Sequence, residues 1–319
     1  MNNNKNILSV VFFGTPEFAR FCLQYLIERS FNIRGVVTAP DKKKGRGKKL
    51  KSSAVKIFSE KKGLKIFQPL NLKNSVFIKQ LHDLDADVFV VVAFRMLPKI
   101  VWSIPQLGTI NLHASLLPNY RGAAPINWVL INGESLTGVT TFLIDEKIDT
   151  GAILMQDKIS IKDYENAGDI HDKLLHIGAP LIIKTLINLN KGNLRPKKQN
   201  LLKNLNKAPK LTSQNTRINW SMNLLQINNL IRGLSPFPGA WSEFSINNEI
   251  IRIKIFIAKI IIKNHDYKIN SIIVQDGNIY ISHKDGLLNC IEIQLSNKKR
   301  MTAKALLNGY IFPKNTFIL

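Results

Sequence analysis

Three polar residues of one stretch, GTINLHASLLPNYRGAAPINWVLINGESLTGVTTFLIDEKIDTG at residues 108–151, form a candidate reaction centre: Asn111, His113 and Asp149. A lone His is more often structural, so its company decides. Asn111 and His113 are two apart on a strand end, and strand side chains alternate with a period of two, so both face one side. A carboxylate delivered by the next strand supplies a group to hold the imidazole charged. This set suits acyl transfer: Asn111 and a protonated His113 donate to an oxyanion forming at a carbonyl-like carbon, while Asp149 steadies the ring and relays a proton through water. No nucleophile accompanies them. There is no G-x-S-x-G elbow, neither cysteine has a catalytic setting, and Ser115 lies in a turn, so the attacking group belongs to the substrate. His82, His171, His176, His265 and His283 lack comparable neighbours. Asp149-Thr150-Gly151 spells the aspartic-protease triplet, but in a single copy and a β/α context.

The elements that must carry these residues read as a βαβ series. Residues 7–13 form a buried strand, Gly14-Thr15-Pro16 turns into a helix over 17–29 with Thr15 as N-cap and Pro16 at the first helical position, and 33–38 is the second strand. The lone Gly14 lacks the G-x-G-x-x-G spacing of a dinucleotide site. Helical patterns at 54–62 and 75–84 alternate with short strands, and the apolar run 87–93 has the look of a parallel strand covered on both faces. Ser115-Leu116-Leu117-Pro118 breaks the next strand, Arg121 to Pro125 opens a helix on small residues, and 138–144 is a strand that can lie beside 108–113. Apolar residues Ile170, Leu174, Ile177, Leu181 and Leu186 put a helix at 166–190. The first part is therefore α/β, with a doubly wound, mostly parallel sheet. Residues 190–209 are polar, basic and broken by Pro196 and Pro209, as a linker would be. Beyond a helix at 223–233, short strands at 241–246, 250–262, 271–274, 278–282 and 288–295 predict a small β-barrel, an architecture that often serves as a nucleic-acid platform.

The chain has 319 residues, enough for two cores, and a formal net charge of +23. Mean hydropathy is −0.02 and the isoelectric point about 10.0. Lys, Ile and Asn are abundant throughout, as AT-rich coding would produce, so clustering informs more than the total. The densest cluster is Asp41-Lys42-Lys43-Lys44-Gly45-Arg46-Gly47-Lys48-Lys49-Leu50-Lys51. It lacks P-loop spacing and reads as an exposed, flexible loop above the carboxyl edge of the sheet; its place after a sheet strand favours phosphate contact over a merely solvated charge run. Cys22 and Cys290 offer neither a metal spacing nor a disulfide framework, and Cys22 is in helical phase with Phe18 and Leu26, a core position. No apolar run approaches the roughly 20 residues that span a bilayer, and no apolar segment with a cleavage site follows Met1, which points to the cytoplasm. The lack of an obvious apolar interface helix points to a monomer.

INLHASLLPNYRGAAPI and GVTTFLIDEKIDTG resemble the signature of the 10-formyltetrahydrofolate-dependent formyltransferases. FFGTPEFA, APDKKKGRGKKL and RINWS narrow the resemblance to the branch acting on initiator methionyl-tRNA, and it spans nearly the whole chain. It implies that Asn111, His113 and Asp149 are catalytic and that Ser115, Leu116, Leu117 and Pro118 line the tetrahydrofolate site. It implies that Lys42, Lys43, Lys44, Arg46, Lys48 and Lys49 contact the tRNA, that 10-formyltetrahydrofolate is the formyl donor, and that no metal takes part. The fold it implies is a Rossmann-like catalytic domain at 1–189, a basic linker at 190–209 and a tRNA-binding barrel resembling an OB-fold at 210–319. A formyltransferase of the same fold acting on an amino sugar nucleotide would share the trio, but the basic run argues against it. A tRNA-binding protein without activity is the third reading, raised by three departures from the family pattern. Phe94-Arg95-Met96-Leu97-Pro98 is shorter than the usual loop bordering the folate pocket, Lys147 replaces a small glycine, and Asn219 replaces an acid before Trp220. A cation so near Asp149 is expected to weaken its hold on His113.

Overall fold

The computed structural model describes residues 8–44, 49–200, 204–246, 249–313 and 316–319. Packing divides the chain into two units: Met1–Gly122, Leu136–Ile159 and Asp172–Lys207 make one, and Ala123–Ser135, Ser160–His171 and Ala208–Leu319 the other.

The first unit is built on a seven-stranded sheet in the order Ile153–Ser160, Leu136–Leu143, Thr109–His113, Val88–Val92, Ser9–Gly14, Asn32–Val37, Ile66–Phe67. From Thr109–His113 to Ile66–Phe67 all neighbours are parallel. Leu136–Leu143 runs antiparallel to Thr109–His113, pairing Phe142 with Asn111 and Thr140 with His113. Ser9–Gly14 and Val88–Val92 are buried at every position, which explains their unbroken apolar sequence. The winding direction reverses between these two strands, the point where open α/β sheets bind ligands outside the carboxyl ends. His113 ends the strand next to Val88–Val92, on that edge.

The Glu17–Glu28 helix buries Phe18, Ala19, Cys22, Leu23 and Leu26 as one stripe. Burial raises the Cys22 thiol pKa far above its ordinary value, and the Cys290 thiol is pushed up to about 12, so neither serves as a thiolate nucleophile. Thr15 is not the N-cap: Pro16 occupies that place in extended conformation, with no side-chain cap, and its carbonyl accepts from Arg20 N at 3.0 Å. Ile7, the expected start of the first strand, lies outside the described residues.

In the second unit an antiparallel sheet runs Ile272–Gln275, Asn278–His283, Gly286–Leu295, Glu249–Ile262, Ala240–Ile246, Phe317–Ile318. Its edges meet: Ile272 N donates to Thr316 O at 3.0 Å and Ile318 N to Asn270 O at 2.8 Å, which closes the small barrel. The Leu224–Gly233 helix starts with a capping box between Asn223 and Gln226 and buries Leu224, Ile227, Leu230 and Ile231 in the barrel core with Phe244, Ile255, Ile281 and Ile293. Asn219 accepts from Ser221 N at 3.0 Å and Ser221 Oγ at 2.8 Å, so its amide oxygen frames the turn as a carboxylate oxygen would. Trp220 is buried beside it and donates Nε1–H to Ser242 Oγ at 2.9 Å.

Phe244 is fully buried where the barrel strands converge. Phe244→Ala is expected to destabilise this unit by about 3–5 kcal/mol, read as an earlier denaturation midpoint by tryptophan fluorescence.

Candidate active site

His113 ends its strand with the ring buried against the edge of Phe142, centroids 6.5 Å apart at 83°. Its Nε2 lies 2.8 Å from Tyr120 O. A carbonyl only accepts, so Nε2 carries the hydrogen and donates it, and proton exchange is left to Nδ1. Nδ1 faces Asp149 Oδ2 at 3.8 Å, beyond direct hydrogen-bond reach. Asp149 Oδ2 in turn accepts from Gly122 N at 2.9 Å. Asn111, two residues before His113 on the same strand, is half-buried, and its side-chain amide makes no hydrogen bond among the described residues. The arrangement thus offers an amide free to donate and an imidazole with one nitrogen committed and the other beside a carboxylate.

Backbone form underlies this geometry. Tyr120 has φ 61° and Asp149 φ 54°, both in the left-handed region that side chains rarely enter. A Cβ on Gly151 would stand 1.6 Å from Leu143 O, so only glycine lets the Asp149 turn press this close to the neighbouring strand. Asp145 Oδ1 frames the turn by accepting from Lys147 N at 3.1 Å and Thr150 Oγ1 at 2.7 Å. Lys147 is exposed, has no positive φ, and forms no ion pair with Asp149 among the described residues. The replacement of glycine there leaves the carboxylate with its Gly122 and His113 neighbours.

The Ser115-Leu116-Leu117-Pro118 turn contains a cis Leu117–Pro118 bond. Ser115 is fully buried, and its hydroxyl donates to Asn119 O at 2.8 Å. Thr140 Oγ1 donates to Ser115 O at 2.7 Å and accepts from Leu117 N at 3.1 Å, and Gln156 Nε2 donates to Leu117 O at 2.9 Å. Ser115 and Leu117 therefore build the turn, while Leu116 and Pro118 are partly exposed. The Phe94–Pro98 loop is held by Arg95, which donates to Leu70 O at 2.9 Å and to Pro69 O.

On either side of residues 45–48 the basic run is paired rather than loose. Lys42–Lys44 pairs antiparallel with Lys49–Lys51, a short hairpin whose backbone hydrogen bonds hold whatever the side-chain charge. Its tip, including Gly45, Arg46, Gly47 and Lys48, lies outside the described residues. Leu50 is 70% exposed on the second strand, an apolar residue left in solvent. Asp41 anchors the root: it accepts from Lys56 Nζ at 2.6 Å and Gln68 Nε2 at 3.0 Å.

One residue near the site carries no signal in the sequence. Gln199, within the polar 190–209 segment, is buried and donates its amide hydrogens to Asp149 O at 3.0 Å and Gly151 O at 2.7 Å. Its Oε1 accepts from Arg121 Nε at 3.1 Å and Nη2 at 2.6 Å. The same segment is fastened to the sheet by reciprocal bonds between Ile153 and Lys197, both 2.8 Å.

This chain belongs to the formyl transferase family: residues 7–186 match the formyl transferase domain and residues 210–311 the formyl transferase C-terminal domain. It is 48% identical over 305 residues to the methionyl-tRNA formyltransferase of Flavobacterium johnsoniae, covering 96% of this chain and 97% of that one. Against the methionyl-tRNA formyltransferase of Bacteroides fragilis it is 43% identical over 311 residues, covering 96% of each. The fold is also that of WlaRD, a sugar 3N-formyltransferase solved with dTDP and 5-N-formyl-THF, at a TM-score of 0.65 and 22% identity over 92% of this chain and all of that one.

The hairpin anchor gives a pH prediction. The hydrogen bond from Lys56, then that from Gln68, holds the Asp41 carboxyl below its ordinary range, and the Asp41 bond raises the Lys56 ammonium. A depressed carboxylate stabilises the fold above its unfolded titration range and loses that contribution as pH falls through the folded one. Carboxyl carbon NMR should find Asp41 titrating below the ordinary aspartate range, and Lys56→Met should move it upward; an unchanged midpoint would refute the anchor.

Proposed function

We propose that this chain transfers the formyl group of 10-formyltetrahydrofolate to the α-amino group of initiator methionyl-tRNA, preparing it for translation initiation. The observation that carries the chemistry is the disposition of His113: Nε2 is committed to Tyr120 O while Nδ1, near the Asp149 carboxylate, stays open, on the same strand as an unengaged Asn111 amide. The substrate reading rests on relatives named methionyl-tRNA formyltransferase at 42–48% identity over most of the chain. The folate donor is supported by the 5-N-formyl-THF in the WlaRD structure. No helix among the described residues is long and apolar enough to cross a membrane, which agrees with work on tRNA in the cytoplasm. The chain works as a monomer.

In this reading the aminoacyl amine, with a pKa of roughly 8, is neutral in useful fraction near neutral pH and attacks the formyl carbon directly. Nitrogen forms the new bond to carbon as the formyl oxygen takes up negative charge. Asn111 donates to that oxygen, as does protonated His113 from Nδ1; the Nδ1 proton then passes to the departing folate nitrogen and is replaced by the one the attacking amine loses, directly or through water. Collapse of the intermediate breaks the bond to that nitrogen and leaves formyl-methionyl-tRNA. Asp149 supports the charge on His113 whenever Nδ1 carries its proton. Leu116 and Pro118 offer the folate an apolar surface, with Ser115 and Leu117 shaping the turn beneath. Lys42, Lys43, Lys44, Arg46, Lys48 and Lys49 contact the tRNA backbone, and the barrel serves as a second tRNA-binding module.

Purified protein given 10-formyltetrahydrofolate and charged initiator tRNA should yield formyl-methionine. Product only with an amino sugar nucleotide would replace the acceptor, and no product with either would leave a tRNA-binding protein. Asn111→Ala and His113→Ala should each lose about 10²- to 10³-fold in turnover with unchanged circular dichroism; near-wild-type rates would sink the assignment. Arg46→Ala and Lys48→Ala should weaken tRNA binding and flatten the slope of log affinity against log salt by about 0.7–0.9 for each phosphate that is no longer neutralised. An unaltered slope would return the hairpin to a solvated charge run.

A further inference from the structure

We propose that Gln199 is a positioning residue that holds Asp149 in register with His113. The inference rests on the catalytic reading of Asp149 given above. Gln199 is buried, and every polar atom of its side chain is engaged: two amide hydrogens on Asp149 O and Gly151 O, and one oxygen under the Arg121 fork. The amide fits one way round, because its oxygen must face the guanidinium and its hydrogens the two carbonyls.

The groups it joins are the two backbone segments that aim the carboxylate. On one side, Asp149 sits at φ 54°, uphill for a residue with a Cβ, and the bond to its own carbonyl opposes relaxation of that peptide. On the other side, Arg121 precedes Gly122, whose N–H binds Asp149 Oδ2 at 2.9 Å. One amide therefore cross-links the turn that bears the carboxylate to the strand end that orients it. Displacing either by an ångström would change the 3.8 Å separation of Oδ2 from His113 Nδ1. Gln199 does not reach the reacting atoms and acts through Asp149.

Gln199→Glu is nearly isosteric and keeps an oxygen for Arg121, but sets a second oxygen against two carbonyls. Gln199→Ala removes the cross-link altogether. Both should lower kcat by about 10- to 100-fold while leaving KM for 10-formyltetrahydrofolate within about twofold. Added to Asp149→Asn, either should cost nothing further, since the carboxylate they position is gone. A side chain that merely seals the 190–209 segment would give losses that multiply in the double variant, and that result, or wild-type kcat in Gln199→Glu, would overturn the proposal. Should Gln199→Ala fail to fold, the Glu variant and its double decide. Impaired Asp149→Asn beside fully active Gln199 variants would reject this inference alone; a fully active Asp149→Asn would reject the catalytic reading and this inference together.

Discussion

The site depends on three consecutive residues, Tyr120-Arg121-Gly122. The Tyr120 carbonyl takes the Nε2 hydrogen of His113, the Gly122 amide binds the Asp149 carboxylate, and the Arg121 guanidinium is held by Gln199. Imidazole and carboxylate are thus aligned by one short backbone segment rather than by a bond to each other. That arrangement keeps Nδ1 open while fixing the ring. Left-handed backbone at Tyr120 and Asp149 is of the kind that persists where surrounding contacts over-determine it.

Around this segment the sheet supplies rigidity. His113 ends a strand paired on both sides, parallel to Val88–Val92 and antiparallel to Leu136–Leu143, so the ring is carried by backbone ladders rather than by a free loop. Gly151 lets the next turn approach Leu143 O within a distance no other residue permits, which brings Asp149 back to the same edge. The neighbouring Thr140 hydroxyl links Ser115 and Leu117 of the proline turn. The His113 strand end and the Ser115–Pro118 turn share one scaffold, and a shift in either is felt by the other.

The charge of the chain acquires a fixed base in the basic hairpin. Its two strands pair through their backbones, and the Asp41 tie to Lys56 and Gln68 secures the root. Like charges repel along such a segment, so a fixed root and a paired backbone oppose its folding away. A polyanionic substrate meeting these lysines would be drawn in by the same charges.

Local sequence suffices for the α/β class and for the barrel strands nearly to their ends, because each rests on periodicity, and it singles out Asn111, His113 and Asp149 as candidates because they belong to one recognisable stretch. What depends on distant segments meeting emerges only on folding. Which nitrogen of His113 stays open is set by a carbonyl seven residues on; the Ser115 hydroxyl is taken up by Asn119 O; Lys147 is exposed, with no ion pair to Asp149 among the described residues. Closure of the barrel joins residues 270–272 to 316–318. Gln199 was invisible for the same reason: a glutamine among lysines and asparagines has no periodic signature, and only folding brings its amide to carbonyls 48 and 50 residues earlier.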